Sequence, residues 1–488
     1  MHLLFSRLVC QETGAACASF AVSRKGRAGE CGIKKRVISI RTNLFAAVFA
    51  AVGCAAGELS VDAKTDKQDS IYKCGEPVTV TAVALEDGKP VSGKTVTYTV
   101  DADGGLSRRG KFLSDAEKPW TFTYKFARPG ALRAEFTILG DDGKRIPLKK
   151  GYDQVRFAGG RIGAVAEPDK ILPGGKTPAD FAAFWKAQLA RLAQVKLEVL
   201  ERKKLDKLSG TYRSLDIWDV KVSSVDGVPV SGYLAMPKKA APRSLPAILL
   251  VQGAGVGSAS LSNVFRWAKE GAVCLEINAH GVPNGQPQAY YNELKKGKLQ
   301  NYTGKVYPDR GKHVFLDMAL RVVRALEYLR TLPEWNGRDL IIRGASQGGW
   351  QAVVGAALDH KVTLCVAGVP AYNDFDGEFS PELRRMPRMH FGQAIRNMKA
   401  GKEKTAELLA AQAYFDGVNF APMIECPVYV TVGYLDLSSP TTSVYALYNR
   451  IPAATEKHIK AYPGSAHAKC PSTEGDAAVM KIVKDAEK

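Results

Sequence analysis

This 488-residue chain has few histidines and lacks the cysteine and histidine spacings that are typical of metal and redox sites. It contains seven histidines, and its nine cysteines form no Cys-x-x-Cys pair and no Cys/His ligand spacing. The pattern therefore predicts neither a zinc site nor a thiol redox motif. The glycine-rich stretch at residues 252–257 lacks a following Lys-Ser or Lys-Thr and does not form a Gly-x-Gly-x-x-Gly fingerprint. This excludes the common phosphate and dinucleotide motifs at that stretch.

Positive charge is in excess but is not gathered into one block. The formal net charge is +19; residues 1–53 hold eight Lys and Arg against two Asp and Glu, a net of +6, which leaves +13 for the remainder. The scattered charges indicate a solvated basic surface, and we expect no nucleic-acid partner. Attraction to an acidic polysaccharide or another anionic surface stays open. The length suits two or three domains.

Residues 1–56 have the pattern of an export leader. A basic cluster at residues 34–36 precedes a nine-residue apolar run at residues 44–52, and small residues follow, as in a secretory signal peptide. The run is too short to span a bilayer. Cys54 also resembles a lipoprotein cleavage site. The expected location is periplasmic or extracellular, and membrane attachment through a lipidated Cys54 stays open.

Residues 57–160 show the alternation of half-buried strands. Period-two runs occur at residues 77–85, 94–100, 120–126 and 132–138, and turn residues separate them. About seven short strands in roughly 100 residues predict an all-β immunoglobulin-like sandwich. We expect it to act as a spacer, to pack on the next domain or to present a loop to substrate. A carbohydrate-binding module is the alternative.

The remaining residues, 161–488, alternate strand and helix patterns. Residues 158–176 are rich in glycine and proline and predict a linker, after which Thr177 is expected to cap a helix. Short apolar strands follow at residues 215–224, 230–236, 247–251, 272–277, 340–342, 364–367, 428–432 and 458–462. Such alternation predicts an α/β class domain, with a mostly parallel, doubly wound sheet covered by helices on both faces.

A nucleophile elbow is predicted at Ser346. Residues 344–348 read Gly-Ala-Ser-Gln-Gly and lie between an apolar strand and a helical segment. The flanking glycines leave room for the sharp turn that exposes a serine Oγ at the carboxyl end of the sheet. We therefore predict that Ser346 is the nucleophile of a hydrolase.

Two later loops contain the expected partners of this serine. In this kind of sheet the acid and the base follow the nucleophile along the chain, each after a later strand. Asp436 follows one late strand and His467 the next, whereas His458 lies within a strand. A serine hydroxyl needs a base to take its proton, and a carboxylate orients that base. We predict Ser346 as nucleophile, Asp436 as acid and His467 as base.

Backbone donors for the oxyanion are predicted on both sides of the nucleophile. The N–H of Gln347 follows Ser346 directly, and a second donor is expected from the loop at residues 252–257, at Ala254. A plain flexible turn is the alternative for that loop. The segment at residues 372–419 separates two late strands and is expected either to cover the pocket or to pack as a helical insertion.

Several further motifs accompany the elbow. They lie at residues 178–185, 332–337, 344–349, 414–421, 426–428, 433–436, 440 and 448–449. Together they make residues about 177–468 similar to the acetyl xylan esterase and cephalosporin-C deacetylase family of α/β-hydrolases. The resemblance implies an α/β-hydrolase fold and a serine carboxylesterase that removes acetyl or other small acyl groups from carbohydrates such as acetylated xylan, through an acyl-enzyme. It implies no metal and no organic cofactor.

Three positions differ from the family pattern. Ala279-His280-Gly281 stands where Arg-Gly-Gln is usual, Lys469 stands where Glu is usual, and residues 252–254 replace His-Gly-Tyr. His280 is expected to cap a loop or to help line the pocket. Two alternatives stay open: the protein hydrolyses another ester or a peptide, or it is a non-catalytic binding protein. The sequence does not predict the oligomeric state.

Overall fold

The computed structural model describes residues 57–486, apart from residues 153–154, 207, 209, 306 and 388–390. The predicted leader and Cys54 lie outside the described residues. The described chain falls within one compact unit. None of its helices is both long and apolar enough to cross a lipid bilayer.

The first part of the described chain consists of strands. They are β1 (Leu59–Thr65), β2 (Ile71–Tyr72), β3 (Pro77–Glu86), β4 (Lys89–Pro90), β5 (Thr95–Ala102), β6 (Leu106–Leu113), β7 (Trp120–Lys125), β8 (Gly130–Ile138), β9 (Pro147–Tyr152), β10 (Val155–Phe157) and β11 (Gly159–Ala166). One sheet contains β1, β3, β4 and β7; another has the order β2-β11-β8-β5-β6. Alternate residues of both sheets, such as Val80 and Val100, are buried in one core. The predicted two-sheet sandwich is confirmed.

Strand β11 corrects the predicted linker at residues 158–176. It pairs antiparallel with β8 and parallel with β2, so the predicted domain boundary at residue 160 falls inside a strand. Its glycines permit close packing instead of flexibility. A Cβ on Gly159 would lie 2.0 Å from the Phe136 carbonyl oxygen, and one on Gly163 would lie 2.4 Å from Cβ of Tyr434. Gly163 N–H also donates to the Pro463 carbonyl, at 2.9 Å.

The sheet of the second part of the chain has nine strands. The further strands are β12 (Val199–Lys204), β13 (Leu215–Val222), β14 (Val230–Pro237), β15 (Leu245–Val251), β16 (Val273–Ile277), β17 (Trp335–Ala345), β18 (Leu364–Gly368), β19 (Val428–Gly433) and β20 (Lys457–Tyr462). Their order is β12-β13-β14-β16-β15-β17-β18-β19-β20. The pairs β12-β13, β13-β14 and β14-β16 are antiparallel, and the five pairs from β16-β15 to β19-β20 are parallel, so the sheet is mostly parallel as predicted.

Helices cover both faces of this sheet. They are α1 (Phe181–Ala193), α2 (Leu261–Ala268), α3 (Gln288–Lys296), α4 (Val314–Thr331), α5 (Gln347–Leu358), α6 (Phe375–Phe379), α7 (Phe391–Met398), α8 (Lys402–Gln412), α9 (Gly417–Phe420), α10 (Thr441–Arg450) and α11 (Thr473–Ala486). Ile248 and Leu250 of β15 share a core with α2 and α11, whereas Leu249 and Val251 share the opposite core with α4 and α5. Successive residues of β15 thus face opposite layers, as expected for a strand buried on both sides.

The N-termini of α1 and α4 differ in how they are capped. The predicted cap at Thr177 is wrong, because α1 begins at Phe181 with Asp180 before it, and the Thr177 hydroxyl bonds to Asn419 instead. At α4 the ring of buried His313 forms the cap. Its Nδ1 accepts the Phe315 N–H at 3.2 Å and its Nε2–H donates to Oε1 of Gln412 at 2.9 Å. Burial lowers the pKa of His313 to about 4, so the ring is neutral near pH 7.

The segment between β18 and β19 contains α6 to α9, and it contacts the sandwich. Asp103, in the loop after β5, is buried; its Oδ1 accepts the Met386 N–H at 2.7 Å and its Oδ2 accepts the Ala131 N–H at 2.9 Å. Gly104 N–H donates to the Leu383 carbonyl at 3.2 Å. The sandwich therefore holds residues 383–386 by hydrogen bonds to their backbone N–H and carbonyl groups.

Candidate active site

Ser346 stands between β17 and α5 in a strained conformation. Its φ is 60° and its ψ is −123°, a region that residues with a Cβ seldom occupy. The Ser346 N–H donates to the Gly368 carbonyl at 2.9 Å, and the Ser346 carbonyl accepts from Ala371 N–H at 3.0 Å. Bonds to the neighbouring strand and its following loop therefore hold the turn that the sequence predicted.

The glycines around Ser346 are required by close backbone packing. A Cβ on Gly344 would lie 2.3 Å from the Gly348 carbonyl oxygen, and a Cβ on Gly348 would lie 2.3 Å from the Val251 carbonyl oxygen. Both distances are too short for any side chain. The glycines thus let α5 begin directly against β15 and β17, which places Ser346 at the carboxyl end of the central strands.

The three residues predicted for catalysis lie together. The His467 Nε2 is 2.8 Å from the Ser346 Oγ, and the His467 Nδ1 is 2.6 Å from Oδ2 of Asp436. With the proton on Nδ1, the imidazole donates to the carboxylate and accepts from the serine hydroxyl. This geometry can carry the serine proton onto a base whose tautomer and orientation are fixed by a carboxylate.

Asp436 is held by its own loop. It is 4 % exposed and lies in the turn that follows β19. Its second oxygen, Oδ1, accepts the N–H groups of Ser438 at 2.8 Å and Ser439 at 3.0 Å. The Ser439 hydroxyl in turn donates to the Val369 carbonyl at 2.8 Å, near the Ser346 turn. Both carboxylate oxygens are therefore occupied, and the side chain has a single orientation.

The loop of His467 is bonded to the loop of Asp436. Leu435 N–H donates to the Ser465 carbonyl at 3.1 Å, and the Thr431 hydroxyl donates to the Cys470 carbonyl at 3.2 Å. A Cβ on Gly433 would lie 2.3 Å from the Ala466 carbonyl oxygen, so the two loops pack without a gap. Lys469, where a glutamate was expected from the family pattern, is exposed.

The two predicted oxyanion donors border the same turn. Gln347 begins α5 and is fully buried, whereas Ala254 is exposed in a bend. A Cβ on neighbouring Gly253 would lie 3.9 Å from Cβ of Ser346, which places the loop at residues 252–257 beside the nucleophile. The loop is anchored at its base, because Gln351 Nε2 donates to the Gln252 carbonyl at 2.8 Å.

Two side chains of the site were not predicted to act together. His280 is 8 % exposed and contacts the loop at residues 252–257; burial and the charge of Arg321 lower its pKa to about 4. His280 therefore holds the loop at residues 252–257, and a loop-holding role was one of the two expectations. Tyr302, from a short 3-10 helix in an irregular stretch, reaches Gln347. No local sequence signal identifies Tyr302, because its partners are distant in sequence.

A cavity of about 550 Å³ opens beside Ser346. The loop at residues 252–257 lines it, together with Trp267, Arg343 and buried Glu276. The volume suits a small organic group more than a folded partner. Among the residues that the structure describes, no three His, Cys, Asp or Glu side chains are grouped to hold a metal ion.

Comparison with known proteins gives a consistent picture. Residues 169–484 match the model of the family described as acetyl xylan esterase (AXE1). Over 296 residues the chain is 34% identical to acetyl esterase Axe7A of Xylanibacter ruminicola, a match that covers 60% of this chain and 64% of that protein. The chain thus spans less than two thirds of the length of this relative.

Two solved structures resemble the chain in fold. An acetyl xylan esterase from Paenibacillus sp. R4 has a TM-score of 0.55 with 22% identity, over 65% of this chain and 98% of that one. Acetyl xylan esterase 1 from Thermoanaerobacterium sp. JW/SL YS485 has a TM-score of 0.54 with 20% identity, over 66% and 98%. The predicted α/β-hydrolase fold is confirmed by these likenesses.

Proposed function

Because the chain belongs to the acetyl xylan esterase family, we propose that it is a serine esterase. Its substrates are carbohydrates with small acyl esters, and acetylated xylan or xylo-oligosaccharides are the first candidates. The observation that carries this proposal is the hydrogen-bonded series Ser346, His467 and Asp436. His467 lies 2.8 Å from the Ser346 Oγ through Nε2 and 2.6 Å from the Asp436 Oδ2 through Nδ1. The names of the relatives support acetyl as the acyl group that is removed from the carbohydrate.

The proposed reaction has two halves. Ser346 Oγ attacks the acetyl carbonyl carbon while His467 Nε2 takes the hydroxyl proton, and Asp436 stabilises the imidazolium. The imidazolium then returns its proton to the departing sugar oxygen, which leaves an acetyl ester on Ser346. Water attacks this ester with His467 as base again, and acetate is released with the serine hydroxyl restored.

The negative oxygen of each tetrahedral intermediate needs donors that are already in place. We assign the N–H of Gln347 and the N–H of Ala254 to this role. Gln347 supports it by its position directly after Ser346, and Ala254 by the loop that lies beside the nucleophile. No metal or organic cofactor enters any step of this scheme.

The experiment is acetate release from acetylated xylo-oligosaccharides, alongside hydrolysis of 4-nitrophenyl acetate, longer acyl esters and a peptide. The wild-type protein should release acetate from the oligosaccharides, and Ser346→Ala should abolish turnover of both esters while substrate still binds. Ser107→Ala, which removes an exposed hydroxyl of the sandwich, is the matched control and should keep full activity. Activity that survives in Ser346→Ala, or cleavage of the peptide alone, would contradict the proposal.

The other assignments are proposals of the same kind. Residues 1–56 direct export, the sandwich extends through Ala166, and the hydrolase follows to residue 488. The mass of the mature protein, recovered from an exporting cell, tests the leader. A mature start after residue 53 with an added lipid mass would show attachment at Cys54, and a full-length chain retained inside the cell would contradict export.

A further inference from the structure

The loop that we assign to the oxyanion hole is held by hydrogen bonds to one glycine, Gly255. Gly255, which follows Ala254, donates its N–H to the Tyr302 hydroxyl at 2.8 Å. Its carbonyl lies 3.0 Å from Nε2 of His280. A carbonyl can only accept, so the His280 Nε2 must carry a proton and donate. Both backbone groups of this one residue are therefore fixed by side chains from a different part of the chain.

The same tyrosine hydroxyl reaches the other side of the site. Tyr302 Oη is 2.9 Å from Oε1 of Gln347 and 3.4 Å from the Gly255 carbonyl oxygen, so its single proton is donated to the nearer acceptor, Gln347. Tyr302 is 7 % exposed and Gln347 is fully buried, so the bond between these two side chains is shielded from solvent. One hydroxyl thus joins the loop of Ala254 to the first residue of α5.

The ring of Tyr302 is supported as well. The His280 ring packs edge-on against it, with the ring centroids 4.4 Å apart and the planes at 84°. Burial keeps the imidazole neutral, with a pKa of about 4, so it packs and donates without adding a charge beside the site. The pair is a rigid support in which each ring limits the motion of the other.

Building on the proposed esterase function, we propose that Tyr302 and His280 are positioning residues that hold the two oxyanion donors at a fixed separation. An oxyanion hole stabilises the transition state only when its donors already point to the place where negative charge develops. The donors here come from two segments, and the Tyr302 hydroxyl is bonded to both of them. The pair contacts neither the Ser346 Oγ nor the imidazole of His467 in the bonds described above.

Tyr302→Phe is the most selective test, because it removes one oxygen and keeps the ring that packs on His280. Loss of a whole oxyanion donor costs about 10²–10³ in kcat. A residue that only holds the donors should cost less, and we expect kcat to fall about tenfold with KM changed less than about threefold. His280→Leu should give a similar fall in kcat, and His280→Gln, which can still donate to Gly255, should recover most of it.

A transition-state readout separates positioning from general damage. A trifluoromethyl ketone adds to the serine and forms a tetrahedral oxyanion, so its inhibition constant should rise with the loss of kcat/KM in each variant. The Kd for an acetylated xylo-oligosaccharide, measured in the Ser346→Ala background, should stay within about twofold when Tyr302→Phe is added. Tyr291→Phe is the matched control, because that hydroxyl also accepts one N–H, from Gln286, and donates to one carbonyl, of Pro283.

The outcomes are distinct. Parallel losses in kcat and in ketone affinity for Tyr302→Phe, with Tyr291→Phe at the wild-type level, would establish the positioning role. Wild-type kcat in Tyr302→Phe would overturn it, as would an equal loss of ground-state binding. Failure of the proposed function is visible separately, because the wild-type protein would then lack Ser346-dependent esterase activity before any Tyr302 variant is compared.

Discussion

Replacing Asp436 by asparagine should nearly abolish turnover while leaving the fold intact. The carboxylate divides its two oxygens: Oδ1 accepts two backbone N–H groups, from Ser438 and Ser439, and Oδ2 accepts from the His467 ring. An asparagine in this place keeps its oxygen on the two N–H groups, because an NH₂ there would face two donors. The NH₂ group must then face Nδ1 of His467.

This orientation of the asparagine reverses the tautomer of the His467 imidazole. Nδ1 can only accept from the asparagine NH₂, so the ring proton moves to Nε2, 2.8 Å from the Ser346 Oγ. The nitrogen that should take the serine proton then already carries one, and the base is lost. In a serine protease the same exchange lowers kcat about 10⁴-fold, which is roughly 5.5 kcal/mol of transition-state free energy. We expect a loss of the same order for Asp436→Asn.

The assay is kcat for 4-nitrophenyl acetate at pH 7.5, with the urea unfolding curve of each variant as the control for folding. Nitrogen-15 chemical shifts of the His467 ring should report protonation at Nε2 in Asp436→Asn and at Nδ1 in the wild-type protein. An Asp436→Asn enzyme within tenfold of wild-type kcat, or one with the proton still on Nδ1, would refute the tautomer argument.

Three further predictions concern stability. Gly348→Ala should cost about 1–3 kcal/mol in urea unfolding and reduce kcat, because its Cβ would lie 2.3 Å from the Val251 carbonyl oxygen; Gly401→Ala, with open space around it, should cost little. Histidine binds a proton near pH 6.5 in the unfolded chain, whereas folded His313 does so only near pH 4. The free energy of unfolding should therefore fall by about 3 kcal/mol as the pH drops through this window. His313→Asn should lessen this fall, which unfolding curves at pH 7 and pH 4.5 would measure. Asp103→Ala strands two N–H groups and should cost about 2 kcal/mol, with faster amide exchange at residues 383–386.

The parts that the sequence predicted are those with local or ordered signals. The strand and helix alternation predicted the sheet because its central strands are short, near-continuous apolar runs. Ser346 could be predicted because a nucleophile elbow is a contiguous motif. Asp436 and His467, its two partners, could be predicted because each follows a predicted late strand. The structure brings these three side chains within hydrogen-bonding distance.

The parts that it did not predict depend on contacts between distant segments. Glycines in residues 159–166 were interpreted as flexible chain, although they serve close strand packing against Phe136 and Tyr434. Thr177 fits a cap pattern, but its hydroxyl has a partner 242 residues away. Tyr302 has no motif at all, since its role depends on where Gly255 and Gln347 lie in space. Composition contains no record of such pairings.

The hydrogen bond between Gly163 and Pro463 has a consequence for how this protein can be shortened. Strand β11 is at once the last strand of the sandwich and a backbone neighbour of the loop that leads to His467. A chain cut at residue 166 would remove a hydrogen-bond donor from that loop and the surface against which Tyr434 packs. The sandwich is therefore not a removable attachment, and the smallest stable form of the protein should begin near residue 57.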